Sequence, residues 1–206
     1  MRIDPGSRSV QGLSTFLAFI GLNVVYILVS LPVVTIGAST SALYEVTMRY
    51  SDDERGNLVK DFFPAFVRNG VRASLLALAL LGPCAVLAWA ALFWSQLTSL
   101  VAGVAMVLSI VAAAYLLVAF LFAMALTARY TNTFRRTLRN ALLIPAAEPV
   151  RAMGVVLVPV TLVAVALIFP AFWIVVGTIG FSFGAYLTAF LFRGIFARHT
   201  PETPLD

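Results

Sequence analysis

Residues 73–128 contain no Asp, Glu, Lys, Arg or His across 56 consecutive positions. As one helix this run would be about 84 Å long, far more than the ~30 Å of a bilayer's hydrocarbon core, so it must fold back on itself. Ser95-Gln96-Leu97-Thr98-Ser99 is the polar break that permits this, giving spans at about 71–94 and 100–127 with Trp89 and Trp94 near one interface. Residues 152–192 form a second charge-free run, divided at Phe169-Pro170 into spans at about 152–169 and 172–196. Leu13–Leu31 is long enough for one more. The whole chain is 61% hydrophobic and 11% charged, against roughly 45–50% and about 25% in soluble domains. The expectation is an all-α, polytopic transmembrane bundle of about five spans, at about 13–31, 71–94, 100–127, 152–169 and 172–196, forming one membrane domain over residues 1–206.

The first span ends in a break. Leu31-Pro32-Val33-Val34-Thr35-Ile36-Gly37-Ala38-Ser39-Thr40-Ser41-Ala42-Leu43-Tyr44 combines a helix-breaking proline with a glycine that permits irregular backbone, and Ser39, Thr40 or Ser41 can cap a new helix from about Ser41 to Tyr50. Within the first span, Asn23, Tyr26 and Ser30 share one face, which belongs inside the bundle because an amide facing lipid leaves its hydrogen bonds unmade. Asn23, Tyr26, Ser30, Pro32, Thr35, Gly37, Thr40 and Tyr44 are therefore the candidate hinge or partner-contact residues. In the last span, Gly177, Gly180 and Gly184 form a close-packing stripe whose partner helix belongs to this chain or to another.

Two further segments are amphipathic. Phe62-Phe63-Pro64-Ala65-Phe66 beside Arg68 and Arg72 reads as an interfacial elbow ahead of the second span. Between 128 and 151, Tyr130, Phe134, Leu138 and Leu142 repeat every fourth residue, with Arg135, Arg136 and Arg139 opposite. That pattern predicts a basic amphipathic cytoplasmic helix ending at Pro145, suited to an anionic bilayer surface or to docking on a partner.

The net charge of +5 comes from arginines that flank apolar runs, which fits the positive-inside rule and not nucleic-acid binding. Twelve of the fourteen Lys and Arg residues share one side if the connections 45–72 and 128–151 and the C-terminal tail do. That side is the cytoplasmic one, and five spans then place the N-terminus outside. The alternative makes residues 32–44 re-entrant and brings the N-terminus inside. The apolar run is too long for a signal-peptide core, so the N-terminus is expected to be retained.

Chemistry is scarce. The one cysteine, Cys84, lies in an apolar run, the one histidine, His199, lies in the tail, and neither a nucleophile elbow nor a zinc helix nor a phosphate loop is present. The predicted spans lack charged side chains apart from Arg72 and Arg193 near their ends, which argues against a proton-coupled carrier. No catalytic, cofactor or metal site is expected, and the chain is not expected to be an enzyme.

Asn23-Val24-Val25-Tyr26, the block from Leu31 to Tyr44, Phe63-x-x-Phe66-x-Arg68-Asn69 and Arg139-Asn140-Ala141-Leu142 resemble the pattern of the YesL-like family of small bacterial integral membrane proteins. The chain departs from it at Tyr26, where members commonly carry Trp, and at Gly37-Ala38-Ser39-Thr40, where they carry Gly-Pro-Ala-Thr. The resemblance implies a bacterial cytoplasmic membrane protein, often encoded beside carbohydrate-uptake transporters of the ATP-binding-cassette (ABC) type. The resulting expectation is a non-enzymatic accessory or assembly subunit whose partners are the bilayer, the permease subunits of such a transporter and further copies of itself. The alternative is a small channel or facilitator lined by Asn23, Tyr26, Ser30 and Thr35.

Overall fold

The computed structural model describes residues 8–52 and 56–199. The chain runs through α1 (Arg8–Ser30), a 3-10 turn (Val33–Thr35), α2 (Ile36–Ser51), α3 (Leu58–Trp94), α4 (Leu100–Arg129), α5 (Phe134–Ala147), α6 (Pro149–Ile168) and the short α7 (Phe172–Val175), which passes through a π-helical turn (Val176–Gly180) into α8 (Phe181–His199). No strand occurs among the described residues. Five helical stretches are long and apolar enough to cross a membrane: Gly12–Ser30, Leu58–Trp94, Leu100–Arg129, Pro149–Ile168 and Phe172–Arg198. The all-α, five-span architecture is thus present.

The interfacial elbow is not a separate element. α3 is continuous from Leu58, with Asn57 Oδ1 accepting a hydrogen bond from the Lys60 N–H at 3.1 Å. Its 37 residues extend about 55 Å, so it overruns a ~30 Å hydrocarbon core. Pro64 and Pro83 lie inside it and deprive the Lys60 and Ala79 carbonyls of their helical donors without ending the helix.

α2 occupies the centre of the bundle. Every residue from Gly37 to Met48 is buried, including Ser39, Thr40, Ser41, Glu45 and Thr47, and α3, α8, α4 and α1 all pack on it. In water the most buried helix of a bundle is also the most apolar. Here the order is inverted, because outward positions such as Leu78, Trp89, Leu100 and Val101 are exposed apolar side chains suited to lipid, whereas a polar side chain gains by turning inward to a protein partner.

α1 and α2 form an antiparallel hairpin. Ser30 and Ser39 are hydrogen-bonded at 2.6 Å, Tyr26 and Thr40 at 3.3 Å, and at the other end Tyr50 donates to Thr15 at 3.4 Å. The end of α2 therefore lies beside the beginning of the described part of α1.

The break itself is shorter than predicted. α2 starts at Ile36, so Gly37 is helical and Ser39, Thr40 and Ser41 lie within the helix instead of capping it. Thr35 Oγ1 lies 2.6 Å from both Val29 O, in the last turn of α1, and Pro32 O. Gly37 serves a different purpose from an irregular backbone: a Cβ there would lie 2.7 Å from Ala77 Cβ and nearer still to the Ala73 carbonyl. The glycine lets α2 sit directly on the α3 main chain.

The glycines of the last span divide as well. A Cβ on Gly184 would meet Leu162 Cδ1 of α6 at 3.1 Å, whereas Gly180 faces Val176 of its own turn and Gly177 has nothing within 4 Å. Of the three, Gly184 is where an added side chain would meet another helix, one of this same chain. α5 is amphipathic, with Thr137, Ala141, Ile144 and Pro145 buried and Arg135, Arg136 and Arg139 exposed. It continues through Pro145 to Ala147, and Tyr115 of α4 donates to the Leu142 carbonyl.

Candidate functional site

Bringing α1, α2, α4, α6 and α8 together leaves a partly open cavity of about 200 Å³ between them. Its polar lining is four hydroxyl groups, those of Tyr26, Thr40, Tyr44 and Thr188. Tyr26 projects from α1 to Thr40, and Tyr44 is within side-chain hydrogen-bonding reach of Thr188 on α8. Thr188 Oγ1 in turn donates to the Ala185 carbonyl at 2.9 Å. Gly180 and Gly184 form part of the wall, and Phe120 of α4 and Phe181 of α8 provide aromatic surface. No Asp, Glu, Lys, Arg or His lines the space.

Asn23 has a separate task. Its Nδ2 donates to Gly177 O at 2.7 Å and to Val176 O at 3.2 Å, while Oδ1 accepts from the Ser182 N–H at 3.0 Å. A π-turn displaces the regular helical ladder, and this one amide satisfies groups on both sides of it. Ser182 Oγ, which lies 2.9 Å from Phe19 O, adds a second tie between α8 and α1.

A third polar region lies at the end where the charged connections gather. Glu45 of α2, only 6% exposed, is paired with Arg68 and accepts from Asn69 Nδ2 at 2.8 Å, both on α3. Asp52 receives Arg129 of α4 at 2.6 Å and Arg193 of α8 at 2.8 Å, and Arg193 also donates to Ser51 O at 2.6 Å. Arg72 donates to the carbonyls of Asn132 and Tyr130, each at 2.6 Å, at the exposed end of α4. The Asp52 carboxylate thus ties the end of α2 to α4 and α8, two helices that no short loop connects to it.

Of the predicted residues, Tyr26, Thr40, Tyr44, Gly180 and Gly184 line the cavity. Asn23, Ser30 and Thr35 face internal partners instead, Pro32 sits exposed in the turn, and Gly37 and Gly177 lie away from the cavity wall. Arg135, Arg136 and Arg139 are on the outer face of α5. Glu45, Asp52 and Thr188 were not foreseen. Glu45 had a usable signal, because Gly37, Ser41 and Glu45 recur every fourth residue and so share the face that meets α3.

Hydroxyl groups at this spacing bind polar atoms but supply neither a general base near neutral pH nor a metal-ligand set. No group of three potential metal ligands occurs among the described residues. The one deeply buried carboxylate among the described residues, Glu45, is already occupied by a guanidinium and an amide.

Residues 19–91 match the model of a family described as proteins of unknown function, DUF624. That span takes in most of α1, the break, all of α2 and nearly all of α3, and so includes both sides of the Gly37 contact and the Glu45 cluster. No curated protein and no solved structure matches the chain.

Proposed function

We propose that this multi-pass membrane protein is a non-catalytic accessory or assembly subunit that works by docking on another membrane protein. The observation that carries this reading is the outer face of α5. Arg135, Arg136 and Arg139 are all exposed there, and no acidic side chain pairs with them among the described residues, whereas Arg68, Arg129, Arg151 and Arg193 are each engaged internally. Three uncommitted guanidinium groups on a helix anchored to α4 suit an acidic partner surface. The permease of a carbohydrate ABC-type uptake transporter is the partner that the YesL-like resemblance brings forward.

In this reading the protein resides in a bacterial cytoplasmic membrane with its arginine-rich end in the cytoplasm. The antiparallel packing of α1 on α2 supports a beginning of α1 on that same side. The experiment is mild-detergent affinity purification with mass spectrometry of what co-elutes. Permease subunits that are retained by the native chain and lost on combined substitution of Arg135, Arg136 and Arg139 by Gln are the expected result. Purification as a lone, stable species overturns the proposal. A solute facilitator has less support, because Asn23, Ser30 and Thr35 spend their polar groups inside the chain; solute flux through the purified protein in liposomes would reverse that order.

A further inference from the structure

A second space lies beside the hydroxyl-lined cavity. It is an open groove of about 890 Å³ between α1 and α6, floored by α8. Its length is apolar, with Phe16, Phe19, Leu157, Phe183 and Leu187 among its walls. Thr15, Tyr50 and Tyr186 stand at the end near the charged turn. The groove and the cavity share Val158, Leu162, Gly180 and Gly184. Between them stand the tips of two α6 side chains facing Gly184 of α8, where a Cβ would meet Leu162 Cδ1 at 3.1 Å and Val158 Cγ1 at 3.5 Å. An aliphatic tip is easily displaced by rotamer change, and both spaces belong to the part of the bundle that five apolar helices would place within lipid.

The chemistry of the inner wall narrows what fits. Each hydroxyl has one proton and two acceptor lone pairs. The Thr188 proton is spent on Ala185 O, Tyr44 is directed at Thr188, and the Tyr26–Thr40 pair consumes one of its two protons internally. The wall is left with a surplus of acceptors and so favours a donor. A charged head is unsuitable, because no carboxylate or basic group among the described residues lines either space and an uncompensated charge there carries a heavy desolvation cost. Ordinary phospholipids, with their charged heads, are excluded on the same ground.

We infer that this pair of spaces is a binding site for a neutral, hydroxyl-headed membrane amphiphile, which enters sideways from the bilayer past Val158 and Leu162, places its hydroxyl among Tyr26, Thr40, Tyr44 and Thr188, and lays its chain along the α1–α6 groove. The groove's size is within the roughly 300–1,000 Å³ range of ligand sites, and the inner cavity adds room for a compact head.

Photo-crosslinking tests this on the full chain in lipid nanodiscs. Three probes share one diazirine-bearing alkyl chain and differ only in the head: a primary alcohol, a carboxylate and a trimethylammonium. The alcohol is expected to label peptides containing Val158–Leu162 and Ile179–Leu187 about tenfold more strongly than the α4 peptide 100–111, with the charged probes showing no such excess. The Thr40→Val, Thr188→Val double variant is expected to remove most of that excess. Tyr26→Phe, which keeps the ring, serves as a second variant should the first fail to elute as a single monodisperse species. Labelling that is uniform over the lipid-facing surface, equal for the three heads, or unchanged in the folded hydroxyl variants overturns the assignment.

Discussion

The main chain at Ala73 fills the space in which a side chain on Gly37 would begin. A Cβ at Gly37 would stand 2.7 Å from Ala77 Cβ and closer yet to the Ala73 carbonyl oxygen, so the central helix is seated against backbone that cannot rotate out of the way. Small residues at such crossings let helices associate in lipid through close packing, where no hydrophobic force drives them together.

Gly37→Ala is accordingly expected to destabilise the fold by about 1–3 kcal/mol, the range typical of overpacking. Gly82→Ala, at a site with nothing within 4 Å, should be neutral or slightly stabilising because alanine is the better helix former. Fluorescence-monitored thermal unfolding in mild detergent compares the two. Equal melting temperatures would mean that α2 can lift off α3 at little cost.

The Glu45–Arg68 pair yields a second prediction. Glu45 is buried while the Arg68 side chain is 59% exposed, so removing one partner is not equivalent to removing the other. Arg68→Ala leaves a buried carboxylate held by Asn69 and, at 4.0 Å, by Arg49. A loss of about 1–3 kcal/mol is expected, below the 3–5 kcal/mol of a fully buried pair because water reaches Arg68. Glu45→Gln combined with Arg68→Ala should recover part of it. A double variant less stable than Arg68→Ala alone would show that the charge pair is not what matters there.

Charge-free runs were sufficient to locate four membrane-length helices outright, since a backbone in lipid has few options beyond a helix. What they hid was α2. Ser39, Thr40 and Ser41 read as caps and residues 45–72 as a charged connection, yet α2, polar as it is, is the helix that the others enclose. The cavity was half legible: Tyr26, Thr40 and Tyr44 stand out beside a break, but Thr188 joins them only through the long-range packing of α8 on α2. The same limit applies to Asn23, whose face was readable from helical spacing while its partner, a π-turn near the far end of the chain, left no local mark. Phe62–Phe66 misled for a simpler reason, because Pro64 and clustered aromatics resemble an elbow whether or not the helix continues through them.

Topology is testable through the hydrogen bond between Thr15 and Tyr50. Single cysteines at Gly6, Asp53 and Gln96 in a Cys84→Ser background should divide two against one, with Gly6 and Asp53 reacting with a membrane-impermeant thiol reagent from one side and Gln96 from the other. Cys84 Sγ donates to the Ala113 carbonyl at 3.4 Å, a contact that the serine hydroxyl can also make, so the exchange should not disturb the assay. Gly6 and Gln96 reacting together from the side opposite Asp53 would refute the antiparallel α1–α2 hairpin in the membrane.

Asn23 offers the sharpest contrast with its neighbour on the same face. It is fully buried and serves two carbonyls and one N–H around the π-turn, so Asn23→Leu leaves backbone groups unpaired in an apolar setting at a cost of about 3 kcal/mol. Tyr26→Phe removes one hydroxyl whose contact to Thr40 is a long 3.3 Å, and about 1 kcal/mol is the expected loss. Asn23→Asp keeps the acceptor for Ser182 but loses the donor and adds a buried negative charge, which should place it at or below Asn23→Leu in stability. Thermal unfolding gives the ranking, and hydrogen exchange of peptides covering residues 176–182 shows whether the π-turn opens. Unchanged exchange in Asn23→Leu would mean that the turn holds itself together without α1.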